Sequence, residues 1–299
     1  MKSLLLAAVA ATVSFASGAQ AADVQVVIRE GVQTLPFEGP TGPILAYDDV
    51  GEHGNAPNNT GSTFVSKAAA RNGNGSLEIH GDRSRYVIGN IYGTTDPLYG
   101  AVAASQSLTK FSDLTSLTFD WRVNTPTVGT FAHSTPAVRI HIIDNGVRSE
   151  MIWEGVYNGG VAGQTPATGV WQSADADDLF YLNVRSNAAT FQTQNPGFTV
   201  SGSGVVFSNG SQVNRTVGNW QSLFSANAYV TGLSFGAGSG FGGQFVGFVD
   251  NVGIRSPNGN NFVVNFEAVP EPATWAMMIG GFGFIGAAAR RRSAKVTFA

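Results

Sequence analysis

Cysteine is absent from all 299 residues. The chain therefore has no disulfide, no thiolate zinc centre and no cysteine nucleophile. It also cannot carry a lipoprotein anchor, which needs a cysteine at the signal cleavage site. Charge is scarce: Asp, Glu, Lys and Arg make up 12% of the chain, against about a quarter in ordinary globular domains. The histidines (His53, His80, His133 and His141) show no HExxH or other short metal spacing. The nucleophile signature G-x-S-x-G is missing, because Gly238-Ser239-Gly240 lacks the outer glycines. Gly236 to Gly243 is rich in glycine but lacks the Lys-Ser/Thr of a phosphate loop and any following helical pattern, so it reads as a turn. No stretch of the body holds a helical period over three turns. With no recognisable catalytic motif, the expectation is a non-catalytic body.

What is present starts at the two ends. Residues 1–21 read MKSLLLAAVAATVSFASGAQA. Lys2 gives a positive start, Leu4 to Phe15 an uncharged run of twelve residues, and Ala19-Gln20-Ala21 a small-x-small cleavage site. This predicts a signal peptide removed by signal peptidase before Ala22. Twelve helical residues rise only about 18 Å, short of a bilayer core of about 30 Å, which argues against a permanent anchor.

The other end reads VPEPATWAMMIGGFGFIGAAARRR from Val269 to Arg292. Pro270 and Pro272 hold the start extended. Ala273 to Ala289 is uncharged and would rise about 25 Å, the short limit for a transmembrane helix. Trp275 suits the headgroup region, and Arg290, Arg291 and Arg292 suit the cytoplasmic side, placing the body outside. Four glycines in the run argue against a buried core helix in water.

Pro270-Glu271-Pro272, then Trp275-Ala276, a glycine-rich apolar run and Arg290-Arg291-Arg292 together resemble the PEP-CTERM sorting signal in its PEPxxWA variant. The resemblance covers residues 269–299 and describes sorting alone. It implies a Gram-negative bacterium and an exosortase that recognises and cleaves the tail. It also implies transient inner-membrane anchoring with the body in the periplasm, then the cell surface or the exopolysaccharide of the extracellular matrix.

Between the ends, residues 22–268 read as one β domain. Removing Lys2 and four basic tail residues from 17, and Glu271 from 20, leaves 12 basic and 19 acidic residues, a net charge near −7. That argues against a nucleic-acid surface. Thr115 to Val123 alternates cleanly, with Leu117, Phe119, Trp121 and Val123 on one face. Ala137 to Ile143 repeats the pattern. Asp144-Asn145-Gly146 then predicts a hairpin back through Ser149 to Val156. Leu179 to Arg185 alternates too. Weaker strands are expected at 24–29, 62–66, 76–80, 85–88, 229–235, 244–254 and 261–266. Segments 51–61, 158–170 and 186–220 read as loops or irregular hairpins. More than ten short strands predict an all-β, antiparallel jelly-roll-like sandwich. The strand SLTFDWRV, the Trp171 segment and the closing Asp250-Asn251-Val252 resemble the carbohydrate-binding jelly rolls.

Two sets of body residues are candidates for chemistry. Asp250 shares strand parity with Val246, Phe248, Val252 and Ile254, so a buried carboxylate in need of a partner is expected. A structural Ca²⁺ would be one such partner. The resembled jelly rolls often bind an ion between first and last strands, with Glu38 as the N-terminal ligand. A bulge that turns Asp250 outward, or a turn capped through backbone N–H groups, is the competing reading. The outward row of Asp120, Arg122, Arg139, His141, Tyr181, Asn183 and Arg185, with Trp153 or Trp171 as a stacking platform, is a candidate glycan-binding face. An ordinary solvated sheet face competes with it. The alternative function is a polysaccharide-acting enzyme, a hydrolase or lyase on a jelly-roll fold. Glu150 and Glu154 lie about 13 Å apart along one strand, outside glycosidase spacing, and a pair with Asp120 stays open.

Overall fold

The computed structural model describes residues 24–28, 33–39, 42–48, 61–91, 107–127, 132–158, 164–174, 177–238, 241, 244–257, 261–268 and 272–291. The expected signal peptide lies outside the described residues. In chain order the strands are β1 (Val24–Ile28), β2 (Gln33–Gly39), β3 (Gly42–Asp48), β4 (Ser62–Ser66), β5 (Ser76–His80), β6 (Arg85–Gly89), β7 (Thr109–Lys110), β8 (Ser116–Thr125), β9 (Ala137–Asp144) and β10 (Val147–Trp153). They continue as β11 (Gln172–Ala174), β12 (Phe180–Val184), β13 (Thr199–Val200), β14 (Val206–Ser208), β15 (Ser211–Gln212), β16 (Asn214–Arg215), β17 (Tyr229–Gly236), β18 (Val246–Arg255) and β19 (Phe262–Phe266). Three helices join them: α1 (Ala188–Gln194), α2 (Val217–Gln221) and α3 (Pro272–Arg291).

Two large sheets form an all-β sandwich. In the seven-stranded sheet β18 pairs with β8 on one side and with β5 and β19 on the other, and β11, β4 and β1 extend it. The nine-stranded sheet runs β16-β12-β10-β9-β17-β6-β3-β2, with β7 beside β17. The named pairs are antiparallel except β1 and β19, which are parallel. That pairing places the start of the body beside its last strand.

Aromatic side chains lock the sheets together. Trp153 of the nine-stranded sheet meets Phe119 edge-on at 4.9 Å and Trp121 at 5.4 Å, both from the other sheet. Phe266 of the seven-stranded sheet meets Tyr86 at 5.6 Å and Phe235 at 6.2 Å. Offset and edge-to-face contacts of this kind contribute about 0.5–1.5 kcal/mol each beyond their burial. The alternation expected in Thr115 to Val123 is observed, with Leu117, Phe119, Trp121 and Val123 all buried in this core.

The β9–β10 hairpin turns at Asn145 (φ 47) and Gly146 (φ 79). Positive φ at both positions is what a two-residue type I′ turn requires. Segment 186–220 is more ordered than its composition suggests, since it holds α1, α2 and the small β13–β14–β15 sheet. Thr216 caps α2 by accepting from the Asn219 N–H. Trp220, fully buried, donates to the Phe180 carbonyl at 2.7 Å and so ties this segment to β12.

Among the described residues no helix is long and apolar enough to cross a membrane. The expected span 273–289 does form a helix, α3.

Candidate functional site

The outer face of the nine-stranded sheet carries a buried polar layer. The β9–β10 register sets Glu150 opposite His141, and the β10–β12 register sets Glu150 opposite Asn183. Ile152 lies opposite Arg139 and Tyr181, so these side chains share the face away from the core. Ser234 on β17 lies opposite Arg139 and joins them. His141 is 1% exposed and Arg139 6% exposed, and Glu150, Asn183 and Ser234 are buried as well. Tyr181, Arg85 and Arg185 are less buried and rim this floor.

The groups interact closely. His141 Nε2 lies 2.8 Å from Ser234 Oγ, and His141 Nδ1 lies 3.7 Å from Glu150 Oε1. Arg185 Nε reaches Glu150 Oε1 at 3.4 Å, and the Tyr181 hydroxyl donates to Glu154 Oε1 at 3.3 Å. Arg139 Nη1, His141 Nδ1 and Asn183 Oδ1 have no hydrogen-bond partner among the described residues. A buried guanidinium nitrogen without a partner is costly.

Burial sets the charges on this face. It depresses the His141 pKa to about 3, aided by Arg85, Arg139 and Arg148 and opposed by Glu150. His141 is therefore neutral at ordinary pH. Burial alone would raise Glu150, but the surrounding positive groups outweigh it and hold the carboxyl down to about 2. The largest of these is His141, charged only at low pH, followed by Arg85, Arg185 and Arg139. Glu154 is raised by burial, against the pull of Arg139 and Tyr181. Tyr181 is raised by burial and by Glu154.

Ser234, His141 and Glu150 line up like a nucleophile relay, but the geometry does not support that chemistry. The 3.7 Å gap from His141 to Glu150 is too long for a hydrogen bond. Ser234 is fully buried in mid-strand, paired on both sides by β9 and β6.

The remaining candidate residues lie elsewhere. Trp153 is core, at 1% exposure, with its indole N–H donated to Asp178 at 2.8 Å. Its parity on β10 matches Met151 and opposes Glu150, so it offers no stacking platform. Asp120 and Trp171 belong to the outer face of the seven-stranded sheet. There Arg71 Nε binds Asp120 Oδ2 at 2.9 Å, and the Arg71 guanidinium lies 5.9 Å from the Trp171 ring centre. Burial opposes ionisation of Asp120, but hydrogen bonds from Ser173, Asn251 and Arg71 outweigh it and lower its pKa. The single face expected from the sequence is thus two faces on opposite sheets.

Asp250 is fully buried beside Asp120, its register partner. A bulge between Asp250 and Gly253, with Asn251 at φ 51, reverses the parity on which the sequence reading relied. Val252 and Ile254 face the core, while Asp250 turns to the outer face. Its carboxylate accepts from the Phe266 N–H at 3.0 Å and the Asn72 N–H at 3.2 Å. Burial still pushes its pKa up to about 6, against these backbone bonds. No group of three or more acidic or histidine side chains able to hold a metal occurs among the described residues. Glu38 lies on β2 in the other sheet, and its side chain is outside the described set.

At the C-terminal end the folded body grips the chain as far as Glu267. Its N–H donates to the Ile28 carbonyl at 2.9 Å. Its carboxylate accepts from the Asn74 N–H at 2.8 Å and from Asn265 Nδ2 at 2.7 Å. Gly73 permits this contact, because a side chain there would collide with the Glu267 carboxylate. α3 begins at Pro272, so the connection to the folded edge is short. The helix exposes Met277, Met278, Ile279, Phe282, Phe284 and Ile285.

Residues 268–292 match the PEP-CTERM protein-sorting motif. The sorting motif implies export, membrane-anchored processing by an exosortase in a Gram-negative bacterium, and a surface destination. It begins one residue after the Glu267 clamp, so sorting signal and folded body abut. Its Pro270, Glu271 and Arg292 lie outside the described residues, as do the side chains of Trp275 and Arg291, whereas Arg290 is exposed. No curated protein matches the chain.

Proposed function

We propose that this chain is a non-catalytic protein of the cell surface or extracellular matrix that binds exopolysaccharide through the outer face of its nine-stranded sheet. The body is read as a jelly-roll-like sandwich, and the adjacency of β1 and β19 supports that reading. Before processing, α3 sits in the inner membrane through its exposed apolar side chains, with the body in the periplasm.

The observation that carries the binding role is the buried polar layer in which Arg139 Nη1, His141 Nδ1 and Asn183 Oδ1 lack a hydrogen-bond partner. A solvated sheet face would be exposed, and a core face would be apolar. Sugar sites combine such fixed polar groups with aromatic surface. Tyr181 and Tyr157 supply the latter, with ring centres 5.7 Å apart. A glycan array probed with the full-length exported protein tests the reading. Binding to at least one surface polysaccharide is expected, without release of shorter products. Shortened or unsaturated products would favour the polysaccharide hydrolase or lyase reading instead.

A further inference from the structure

We propose that the outer face of the nine-stranded sheet takes the carboxylate of an acidic glycan, with Arg139 as its buried anchor. This rests on the glycan-binding reading above and adds the charge of the ligand.

The face has an excess of positive charge. Arg85, Arg139, Arg148 and Arg185 act on it, against Glu150 and Glu154. Among the described residues the two carboxylates do not balance these arginines. Arg185 is drawn to Glu150 at 3.4 Å, and Glu154 accepts from Tyr181 at 3.3 Å. Arg139 retains an unpartnered Nη1 at 6% exposure. A neutral sugar hydroxyl would give that nitrogen an acceptor but no countercharge. A carboxylate gives both, and its two oxygens match the planar fork of a guanidinium. Asn183 Oδ1, packed against Gly204, and His141 Nδ1, which faces Glu150, are unpartnered too but lie deeper in the layer. Arg185, 39% exposed, marks the side from which a ligand enters.

Isothermal titration calorimetry on the full-length exported protein in mild detergent at pH 7 tests this. Three probes are compared: oligogalacturonate, its methyl ester and a neutral galacto-oligosaccharide. The acid is expected to bind at least tenfold more tightly than the ester, and Arg139→Gln to remove that preference. If Arg139→Gln does not fold, Arg185→Ala at the rim serves: it should weaken the acid several-fold while the neutral chain binds as to the wild type. Wild-type affinity for the acid in Arg185→Ala contradicts the proposal. Equal binding of acid and ester, or preference for the neutral chain, overturns the acidic ligand and leaves the glycan reading standing. Failure of all three probes, with an array of acidic and neutral glycans also blank, overturns both.

Discussion

His141 and Asp250 are buried groups whose titrations pull stability in opposite directions. The His141 pKa is depressed to about 3 in the folded protein from about 6.5 in the unfolded chain. Its contribution is whole above pH 6.5 and is lost as pH falls through about 3. The Asp250 pKa is raised to about 6. Its protonated form contributes stability below about pH 3.9, which is lost as pH rises through about 6. The two effects oppose each other where both groups titrate, including between pH 5 and 6. Melting curves across that range should be nearly flat for the wild type. His141→Gln should melt higher on acidification, and Asp250→Asn lower. Wild-type profiles in both variants would show that neither group controls the pH response. Trp153→Ala should cost about 3–5 kcal/mol, as for other buried tryptophans. Urea denaturation checks this, and a loss under 1 kcal/mol would remove Trp153 from the core. At this scale the polar layer was half legible. Alternation placed Arg139, His141 and Tyr181 on one outward face. It failed at Asp250 because an αL Asn251 inserts a bulge, which parity counting cannot see.

The β9–β10 hairpin shows what an element reveals when its turn is recognised. Asp144-Asn145-Gly146-Val147 is a two-residue turn, so its register follows: Glu150 must face His141, as observed. Carried through, that register would have added Glu150 to the candidate face from sequence alone. Ser234 had no such signal, because β17 meets β9 only through a long-range pairing. The parallel pairing of β1 with β19 was invisible for the same reason. The helices inside 186–220 were missed because seven or five residues cannot establish a period. Gly146 is the element's test position. Its φ of 79 suits glycine, and the space beside it is open, so substitution there probes backbone conformation alone. Gly146→Ala should lower stability by about 1–2 kcal/mol. An unchanged denaturation midpoint would mean that the turn does not hold this conformation in solution.

For the whole molecule, the sorting motif was the most legible feature, because its residues lie in one continuous stretch. The folded body holds Glu267, and the sorting motif starts at the next residue, so the motif abuts the folded edge. Glu271→Ala should leave uncleaved protein accumulating in the membrane fraction. Intact mass of the wild-type surface form should end upstream of Ala299, and a mass that includes Ala299 would contradict processing. Whether the body binds the matrix, and through which sheet, is the central question, and purified exopolysaccharide from the producing cells answers it most directly. In a co-sedimentation assay, Tyr181→Phe and Arg185→Ala should each lose several-fold affinity, while Trp171→Ala on the opposite sheet should bind as wild type. Full binding by both nine-stranded-sheet variants, with loss in Trp171→Ala, would place the binding surface on the other sheet and contradict the account.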